Sequence, residues 1–384
     1  MRQVIVLGND HTNTLGIAQC LGKSNYLIDA YVWGEKTKIA TSSRFINNVY
    51  SATCCEDLIG ILIKNISQYK SNKIPIIACC DTAAVTLEKY KDRLSVKYIF
   101  EYTTGPYSLR ELSEKDLQVK LAINAGFNVP CSLTANINNA IPQNVKFDPP
   151  YIFKPLVSAE GAKSDITICE NREILLKKLA EEKLHTQRLL IQQYIERDYE
   201  ISILGCGLSN GECIIPAVED KLTLYPKYRG LECLTRIHKL EDKEIISSIK
   251  KIISTIGYVG LFSVEMMHNK NDNKFYFTEI NLRNDGANSF IFKYGVNLPL
   301  AHILDLQQIK GEYIEENLKP GYYIWDMHHF RSLMCGDISI LTWFKELKMS
   351  NGFMTYFPDD RKPFFRQYIN LFLKMLRRGK PIYY

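Results

Sequence analysis

The sequence contains no CxxC pair, although it has eleven cysteines. Several of them stand inside apolar runs, such as the two that end the run at 76–80. Structural zinc sites and disulfide frameworks rest on regularly spaced cysteines. The spacing therefore favours buried free thiols in a reducing compartment over a zinc site, and we expect a cytoplasmic protein.

Long apolar runs and blocks of one charge are missing as well. The first apolar run, at 3–7, is too short for the core of a signal peptide or for a membrane span. The 48 basic residues are interspersed with 42 acidic ones, which leaves a net charge of +6. No basic block is interleaved with aromatics, as a groove for nucleic acid requires. We expect a protein that binds small anionic ligands and no nucleic acid.

The first hundred residues alternate between strand and helix patterns. Apolar runs predict strands at 3–7, 27–33, 74–80 and 97–101, and the segments between them predict helices at 14–22, 56–69 and 82–90. This alternation is typical of a doubly wound parallel sheet. The loop after the first strand lacks GxGxxG, which disfavours a dinucleotide-dependent oxidoreductase.

A different pattern begins near residue 150. Strands are predicted at 151–154, 165–169, 189–194, 199–206, 213–218, 260–266 and 275–280, with helices at 171–183 and 241–256. A helix that Ser113 caps and Gly126 ends precedes this α+β module. We therefore predict a first domain at 1–107, a second at 108–310 with a lid at about 150–205, and a C-terminal extension at 311–384.

The C-terminal extension ends in an amphipathic basic helix. Apolar residues at 364, 365, 368, 369, 372, 373 and 376 follow helical spacing, with lysines and arginines beside them. We favour packing of this helix on the body of the protein. Contact of 363–384 with an anionic membrane surface is the alternative.

The segment 260–288 carries the strongest chemical pattern. Two predicted strands are joined by a polar hairpin loop, and alternation along the second places Phe277, Glu279, Asn281 and Arg283 on one face, opposite Glu265. Two carboxylates and an amide oxygen are ligands that Mg²⁺ prefers. An arginine two residues beyond the last ligand can reach a transferring phosphoryl group.

Residues 150–168 predict a strand with Lys154, a loop of small residues with Ser158, Gly161 and Lys163, and another strand. Backbone N–H groups of such a loop can surround phosphates while the lysines supply positive charge. Taken alone the pattern is weak, because hairpins that contain glycine and serine are common.

Residues 189–202 predict two strands joined by a short polar turn. The extended connector Gln193, Tyr194 and Ile195 can offer backbone donors and acceptors to an adenine edge. Glu200, at the start of the second strand, can accept hydrogen bonds from ribose hydroxyls.

The order of these motifs resembles the ATP-grasp superfamily. Lys115 lies in a helix that begins Lys-Asp and leads to Gly-x-x-x-Pro, and Lys154 is followed by proline. A hinge opening with Gln192 comes next, and the set Glu265…Glu279-x-Asn281-x-Arg283 comes last. The resemblance implies a preceding α/β domain and an ATP-grasp domain, and it covers the chain to about residue 310.

The resemblance also implies an activity. A substrate carboxylate would attack the γ-phosphate of ATP, and an amine would displace phosphate from the acyl phosphate to form an amide. Glu265, Glu279 and Asn281 would hold two Mg²⁺ ions, with Mn²⁺ as an alternative metal. Lys115 and Lys154 would bind phosphates. Arg283 would stabilise the acyl phosphate, and Arg229 would contact the substrate carboxylate or the γ-phosphate. Because relatives are often homodimers, the resemblance also implies a possible homodimer.

Three departures from the superfamily pattern bear on substrate identity. The phosphate loop has one glycine between 158 and 164, the hinge opens with Gln192 where relatives often carry an acid, and Asn-Asp-Gly follows Arg283. The chain is most similar to carboxylate–amine ligases associated with bacterial cell-surface polysaccharide or peptidoglycan. The alternatives are a nucleotide-binding scaffold without turnover and an ATP-grasp enzyme of another reaction type.

Overall fold

The computed structural model describes residues 2–69, 73–137, 145–157, 165–181, 184–226, 231–315 and 318–378. Its strands are β1 (Gln3–Asn9), β2 (Leu27–Trp33), β3 (Ile46–Ala52), β4 (Ile74–Ala78), β5 (Tyr98–Ile99), β6 (Tyr102–Thr103), β7 (Ser132–Asn136), β8 (Tyr151–Pro155), β9 (Thr167–Cys169), β10 (Arg188–Gln193), β11 (Arg197–Gly207), β12 (Cys213–Tyr225), β13 (Leu231–His238), β14 (Tyr258–Asn269), β15 (Lys274–Asn281), β16 (Gly321–Ile324) and β17 (Gly352–Phe353).

The helices are α1 (Thr12–Gly22), α2 (Cys55–Lys64), α3 (Asp81–Lys89), α4 (Lys91–Leu94), α5 (Leu109–Leu112), α6 (Lys115–Ala125), α7 (Arg172–Glu181), α8 (Lys243–Ile256), α9 (Asn288–Tyr294), α10 (Leu298–Leu306), α11 (Asp326–Met334), α12 (Ile340–Met349) and α13 (Lys362–Arg378). Two short 3₁₀ turns lie at Ala40–Ser42 and Asn65–Gln68. Within the described residues, no helix is both long enough and apolar enough to cross a membrane.

The first domain contains a five-stranded sheet of order β3-β2-β1-β4-β5, in which all pairs are parallel. The middle of β1 is buried on both faces, as its unbroken apolar run indicates. The predicted parallel sheet is therefore confirmed. Strand β3 is an edge strand that the apolar pattern does not predict, because polar residues interrupt its apolar ones and most of its residues are exposed.

The second region begins with a small antiparallel sheet of order β7-β10-β8-β9. Helix α7 covers it, and Phe153, Leu175, Leu189 and Ile191 lie in its buried core. Because this core is separate from the two larger hydrophobic clusters of the molecule, the sheet forms its own layer over the remaining strands.

The third sheet has eight strands, in the order β15-β14-β11-β12-β13-β16-β17, with β6 paired to β14. Helix α8 packs on it through Ile249, Ile252 and Ile256, which are fully buried or nearly so. Asp242 caps this helix by accepting hydrogen bonds from two backbone N–H groups, and Gly257 ends it in the left-handed conformation. Strands β16 and β17 come from the C-terminal extension, so the extension completes this sheet.

The predicted start of the helix before the lid is wrong. Ser113 ends the short helix α5, and α6 begins after Glu114, which provides no side-chain cap. Ser108, with Glu111, forms a capping box on α5, a short helix that the sequence pattern does not predict and that already occupies the residues up to Ser113. The predicted end is confirmed, because Gly126 closes α6 with a φ of 103°.

Candidate functional site

A large cleft lies where the two antiparallel sheets meet the first domain and the C-terminal helices. Its volume is about 1710 Å³, above the roughly 300–1,000 Å³ usual for a single small ligand. The cleft therefore has room for a nucleotide and for a second substrate. The predicted site residues that line it are Lys154, Gln192, Gln193, Tyr194, Ile195, Glu200, Glu265, Glu279, Asn281 and Arg283.

Strands β14 and β15 place the acidic residues of this cleft. Glu265 and Glu279 are direct partners across the two strands, as expected. The register shifts just after this pair, because Met266 is the partner of Phe277 and Thr278 forms a bulge. The bulge changes the alternation of side chains along β15.

The predicted position of Phe277 is therefore wrong. Phe277 is 1% exposed and belongs to the hydrophobic core, whereas Glu279, Asn281 and Arg283 line the cleft. Strict alternation puts all four on one face, but the extra residue at Thr278 turns Phe277 inward and keeps the three polar residues outward.

Lysines neutralise the carboxylate of Glu279. Lys115, which begins α6, donates a hydrogen bond of 2.8 Å to Glu279 Oε2. Burial opposes ionisation, but Lys115 and Lys154 outweigh it and lower the pKa of Glu279 to about 2. Burial and the nearby Lys115 lower the pKa of Lys154 to about 8. Lys115 is thus bound to the acidic residue, while Lys154 lines the cleft.

Glu265 lies in a second charged cluster, which the sequence patterns do not predict. Lys221 of β12 contacts Glu265 Oε2 at 2.6 Å and Glu232 Oε1 at 2.8 Å, and Ser202 donates a hydrogen bond to Glu265. Burial raises the pKa of Glu265 to about 7, against the attraction of Lys221. The available signal is the run Glu219-Asp220-Lys221 inside the mostly apolar strand β12.

Carboxylates on both sides orient Arg283. Its Nε lies 3.5 Å from Asp81 Oδ1, and its Nη1 lies 3.1 Å from Asp285 Oδ2. Asp81 begins α3 at the carboxyl end of β4, so the first domain fixes one side of the guanidinium. Burial opposes its charge, but these two carboxylates raise the pKa of Arg283, and the side chain stays cationic.

The donor set of the cleft fits a hard divalent cation. Among the described residues, no group of three or more His, Cys, Asp or Glu side chains has the arrangement of a metal site. Glu265 and Glu279 face each other beside Asn281, and all three offer oxygen ligands. Mg²⁺ commonly takes one or two carboxylates and completes its shell with water and phosphate oxygens. The residues present therefore suit Mg²⁺ held together with a nucleotide.

The connector after β10 forms the hinge between the two antiparallel sheets. The N–H groups of Gln193 and Tyr194 donate to the carbonyls of Cys131 and Pro150, both at 2.8 Å. These bonds fix the hinge in an extended conformation along one wall of the cleft. Ile152 of the small sheet lines the same cleft as the hinge residues and adds apolar surface to it.

Glu200 lies on β11, the strand that directly follows the hinge, and lines the same cleft. Arg197 contacts it through an ion pair of 2.8 Å, so its carboxylate is held at the cleft wall. Four other predicted site residues, Ser158, Gly161, Lys163 and Arg229, lie outside the described residues.

The far end of the cleft is built by His11, at a strand-end position of the first domain after β1, and by three residues that the sequence patterns do not single out. Trp325, His328 and Arg331 belong to the C-terminal extension. The rings of Trp325 and His328 are stacked at 5.9 Å. Burial lowers the pKa of His11, and it lowers the pKa of His328 to about 4, so both rings are neutral near pH 7.

The chain is similar to one protein family and to two known ligases. Residues 120–289 match the ATP-grasp domain. Over 328 residues the chain is 24% identical to the D-aspartate ligase of Enterococcus faecium. The alignment covers 77% of this chain and 74% of that enzyme. Over 129 residues it is 33% identical to D-alanine–D-alanine ligase B of Clostridium tetani, covering 32% of this chain and 36% of that enzyme.

Solved structures share the fold. The N5-carboxyaminoimidazole synthetase of Staphylococcus aureus complexed with ADP superposes with a TM-score of 0.63 and 17% identity, covering 84% of this chain and 82% of that chain. The L-amino acid ligase of Bacillus licheniformis superposes with a TM-score of 0.60 and 12% identity, covering 84% and 80%. At these identities the likeness establishes the architecture.

Proposed function

We propose that this chain, whose residues 120–289 match the ATP-grasp domain, is an ATP-dependent ligase that joins a small carboxylic acid to an amine through an acyl phosphate. One observation carries the proposal: Glu265, Glu279, Asn281 and Arg283 line a single cleft together with Lys154 and the hinge. The two curated relatives, both named as ligases, support the same reaction type.

The nucleotide would lie between the hinge and the acidic residues. Adenine would lie beside the hinge, Glu200 would accept hydrogen bonds from the ribose hydroxyls, and Lys154 would contact the phosphates. Ser158, Gly161 and Lys163 remain our candidates for the phosphate loop. Since Lys115 is bonded to Glu279, we assign it to fixing the charge and position of that carboxylate.

Glu265, Glu279 and Asn281 would hold Mg²⁺, two ions in our proposal. When bound, the metal would neutralise the charge of the β- and γ-phosphates. The ion pairs of Lys115 and Lys221 keep the two carboxylates oriented and partly neutralised before the nucleotide arrives.

In the first step a carboxylate oxygen of the acid attacks the γ-phosphorus of ATP. The bond from that phosphorus to the β,γ-bridging oxygen breaks, and ADP leaves with the electron pair. Arg283, held between Asp81 and Asp285, would stabilise negative charge on the transferred phosphoryl group. In the second step the neutral amine nitrogen attacks the acyl carbon, phosphate leaves, and the nitrogen loses a proton to give the amide.

We place the acid substrate at the far end of the cleft, next to Arg283. Arg331 supplies positive charge there, while neutral His11 and His328 can donate or accept hydrogen bonds. Trp325 offers an apolar ring surface to the body of the substrate. Arg229 remains a candidate for the same carboxylate or for the γ-phosphate.

The test is phosphate release from ATP and Mg²⁺ with a panel of amino acids and sugar acids paired with amines. Glu279→Gln keeps the size of the side chain and removes its charge, and Glu241→Gln, at an exposed position before α8, is the matched control. We expect release that requires both an acid and an amine, that disappears in Glu279→Gln and that persists in Glu241→Gln.

Calorimetry with ATP and Mg²⁺ separates the remaining outcomes. If ATP binds and no pair on a broad panel gives turnover, the chain is a nucleotide-binding scaffold and the proposed ligase activity is wrong. Failure of ATP to bind would remove the assignment of the cleft as a nucleotide site.

A further inference from the structure

Helix α13 presents two different faces. Pro363, Gln367 and Leu371, spaced four residues apart, are buried against the body of the protein. On the opposite side, Phe365, Ile369, Phe372 and Leu376 are 58%, 48%, 61% and 66% exposed, respectively. We call these four residues the outer stripe; none of them lines the cleft.

Polar contacts hold α13 in this orientation. Asn370 donates a hydrogen bond of 2.6 Å to the carbonyl of Thr37, and Lys374 forms an ion pair of 2.9 Å with Glu35. Both contacts reach the first domain. The outer stripe is therefore turned away from the protein by a fixed helix, and an apolar surface of this kind commonly marks an interaction site.

Charge indicates what covers the outer stripe. The sequence from Arg361 to Tyr384 contains seven lysines and arginines and no aspartate or glutamate. The two acids just before it are already paired, since Asp360 accepts from Ser43 and Asp359 pairs with Lys23. All charged residues of this segment are thus cations, and Arg361 and Lys362 are exposed at the start of α13. An apolar stripe in a segment of this charge matches the interface of an anionic membrane, where aromatic and aliphatic side chains enter the acyl boundary and cations meet lipid headgroups.

We propose that α13 lies on the surface of an anionic membrane through its outer stripe. This inference does not depend on the proposed ligase activity. The helix would lie along the interface; among the described residues, no helix is long and apolar enough to span a bilayer. The inward face of α13 contributes Arg366, Gln367, Asn370 and Lys374 to the cleft, so a bound enzyme would hold its cleft beside the lipid surface.

Sedimentation of the full chain with lipid vesicles tests the proposal. One set of vesicles consists of phosphatidylcholine, and the other mixes phosphatidylcholine with phosphatidylglycerol. We expect binding to the mixed vesicles, weak or no binding to pure phosphatidylcholine, and release as the salt concentration rises.

The decisive variant is Phe365→Ser with Phe372→Ser, which we expect to weaken vesicle binding by about tenfold or more. Val96→Ser with Ile123→Ser is the matched control, because these side chains are 76% and 57% exposed on other helices or turns. Thermal unfolding and ATP binding should be unchanged in both double variants. If the first variant is unstable, Ile369→Ser with Leu376→Ser replaces it.

Equal binding to both kinds of vesicle, or binding by the stripe variant at the level of the control, would overturn the proposal. Light scattering, which measures the oligomeric state of the purified chain, could also contradict the membrane proposal. If the purified chain is a dimer that the stripe variant converts to a monomer, and no vesicles bind, the stripe contacts another copy of the chain.

Discussion

The position of the Arg283 side chain is set by two neighbouring carboxylates. The guanidinium lies between Asp81 of the first domain and Asp285 of the loop after β15. Two carboxylates remove most of its rotational freedom. An arginine fixed in this way is preorganised to meet charge that develops on a transferred phosphoryl group.

Replacing Arg283 with glutamine should lower turnover by about a hundredfold or more, because an aligned donor is lost at a developing charge. Asp81→Asn should cost only several-fold, since Asp285 is closer and remains. The measurement is the rate of phosphate release at saturating ATP. Arg93→Gln, exposed on α4, is the control, and equal effects in all three variants would contradict the assigned role of Arg283.

A pair of ionisable groups lies in the core, away from the acidic residues of the cleft. Glu101 Oε2 is 4.0 Å from His302 Nε2, and in the described structure neither atom has a hydrogen-bond partner. Burial raises the pKa of Glu101 to about 7 and lowers the pKa of His302 to about 4. Both groups are therefore neutral in the folded protein around pH 5 to 6.

The two groups affect stability in opposite directions. Folded Glu101 keeps a proton that the unfolded carboxyl loses above its ordinary pKa, so its contribution falls as pH rises from about 4.5 to 7. Folded His302 stays unprotonated at pH values where the unfolded ring binds a proton, below its ordinary pKa. Its contribution to the free energy of unfolding therefore falls as pH drops from about 6.5 to 4. Each contribution reaches about 3 kcal/mol, and they largely offset each other.

Removing one group should reveal the effect of the other on the pH dependence of stability. Relative to wild type, Glu101→Gln should gain thermal stability as pH rises from 4.5 to 7, and His302→Gln should lose it over the same range. Unfolding midpoints measured across this interval check the prediction. Curves for both variants that stay parallel to wild type would show that the two groups are not held neutral.

At the scale of elements, Gln118 fastens α6 to β15. Its amide donates to the carbonyls of Leu112 and Ile280 at 2.8 and 3.0 Å and accepts from the Ile280 N–H at 3.1 Å. Ile280 directly follows Glu279. The helix that supplies Lys115 and the strand that supplies Glu279 are thus joined one residue from the ion pair.

Gln118→Met should therefore lower the unfolding free energy by roughly 2–4 kcal/mol, because it leaves buried backbone groups without partners. It should also weaken ATP binding, since Glu279 and Lys115 lose their fixed separation. Chemical unfolding and calorimetry measure the two effects. Lys120→Met, on the exposed side of the same helix, is the control and should change neither the unfolding free energy nor ATP binding. A Gln118→Met protein as stable as wild type would contradict the role of Gln118 in joining α6 to β15.

At the scale of the whole molecule, the cleft is closed by parts that are far apart in the chain. The segment 35–39 of the first domain and helix α13 line the same side, and the hydrogen bond from Asn370 to Thr37 joins them. This joint connects the first domain to the C-terminal extension. In the proposed arrangement it belongs to the end of the cleft that would hold the acid substrate, whereas the hinge belongs to the end that would hold the nucleotide.

Asn370→Leu should release the segment 35–39 while it leaves ATP affinity unchanged. Trypsin should then cut faster after Lys36 or Lys38, which are exposed residues of this segment. The cleavage rate and an ATP titration check the two halves of the prediction. Asn271→Leu, in the exposed β14–β15 hairpin, is the control, and an unchanged cleavage rate would show that Asn370 does not hold the segment.

The sequence by itself determined the local features of this protein. Unbroken apolar runs predict the parallel strands, Gly126 predicts the end of α6, and the set from Glu265 to Arg283 predicts one acidic cluster with an arginine. These features depend on neighbouring residues and on the period of a strand or helix, so the printed order of residues is enough.

The tertiary structure alone decided the rest. The Thr278 bulge turns Phe277 inward, Lys221 and Glu232 join Glu265 from other strands, and α13 reaches the first domain. A bulge adds one residue without a signal in the alternation, and the other contacts join positions tens or hundreds of residues apart. Which distant side chains share a cleft depends on how sheets pack, and no local pattern carries that information.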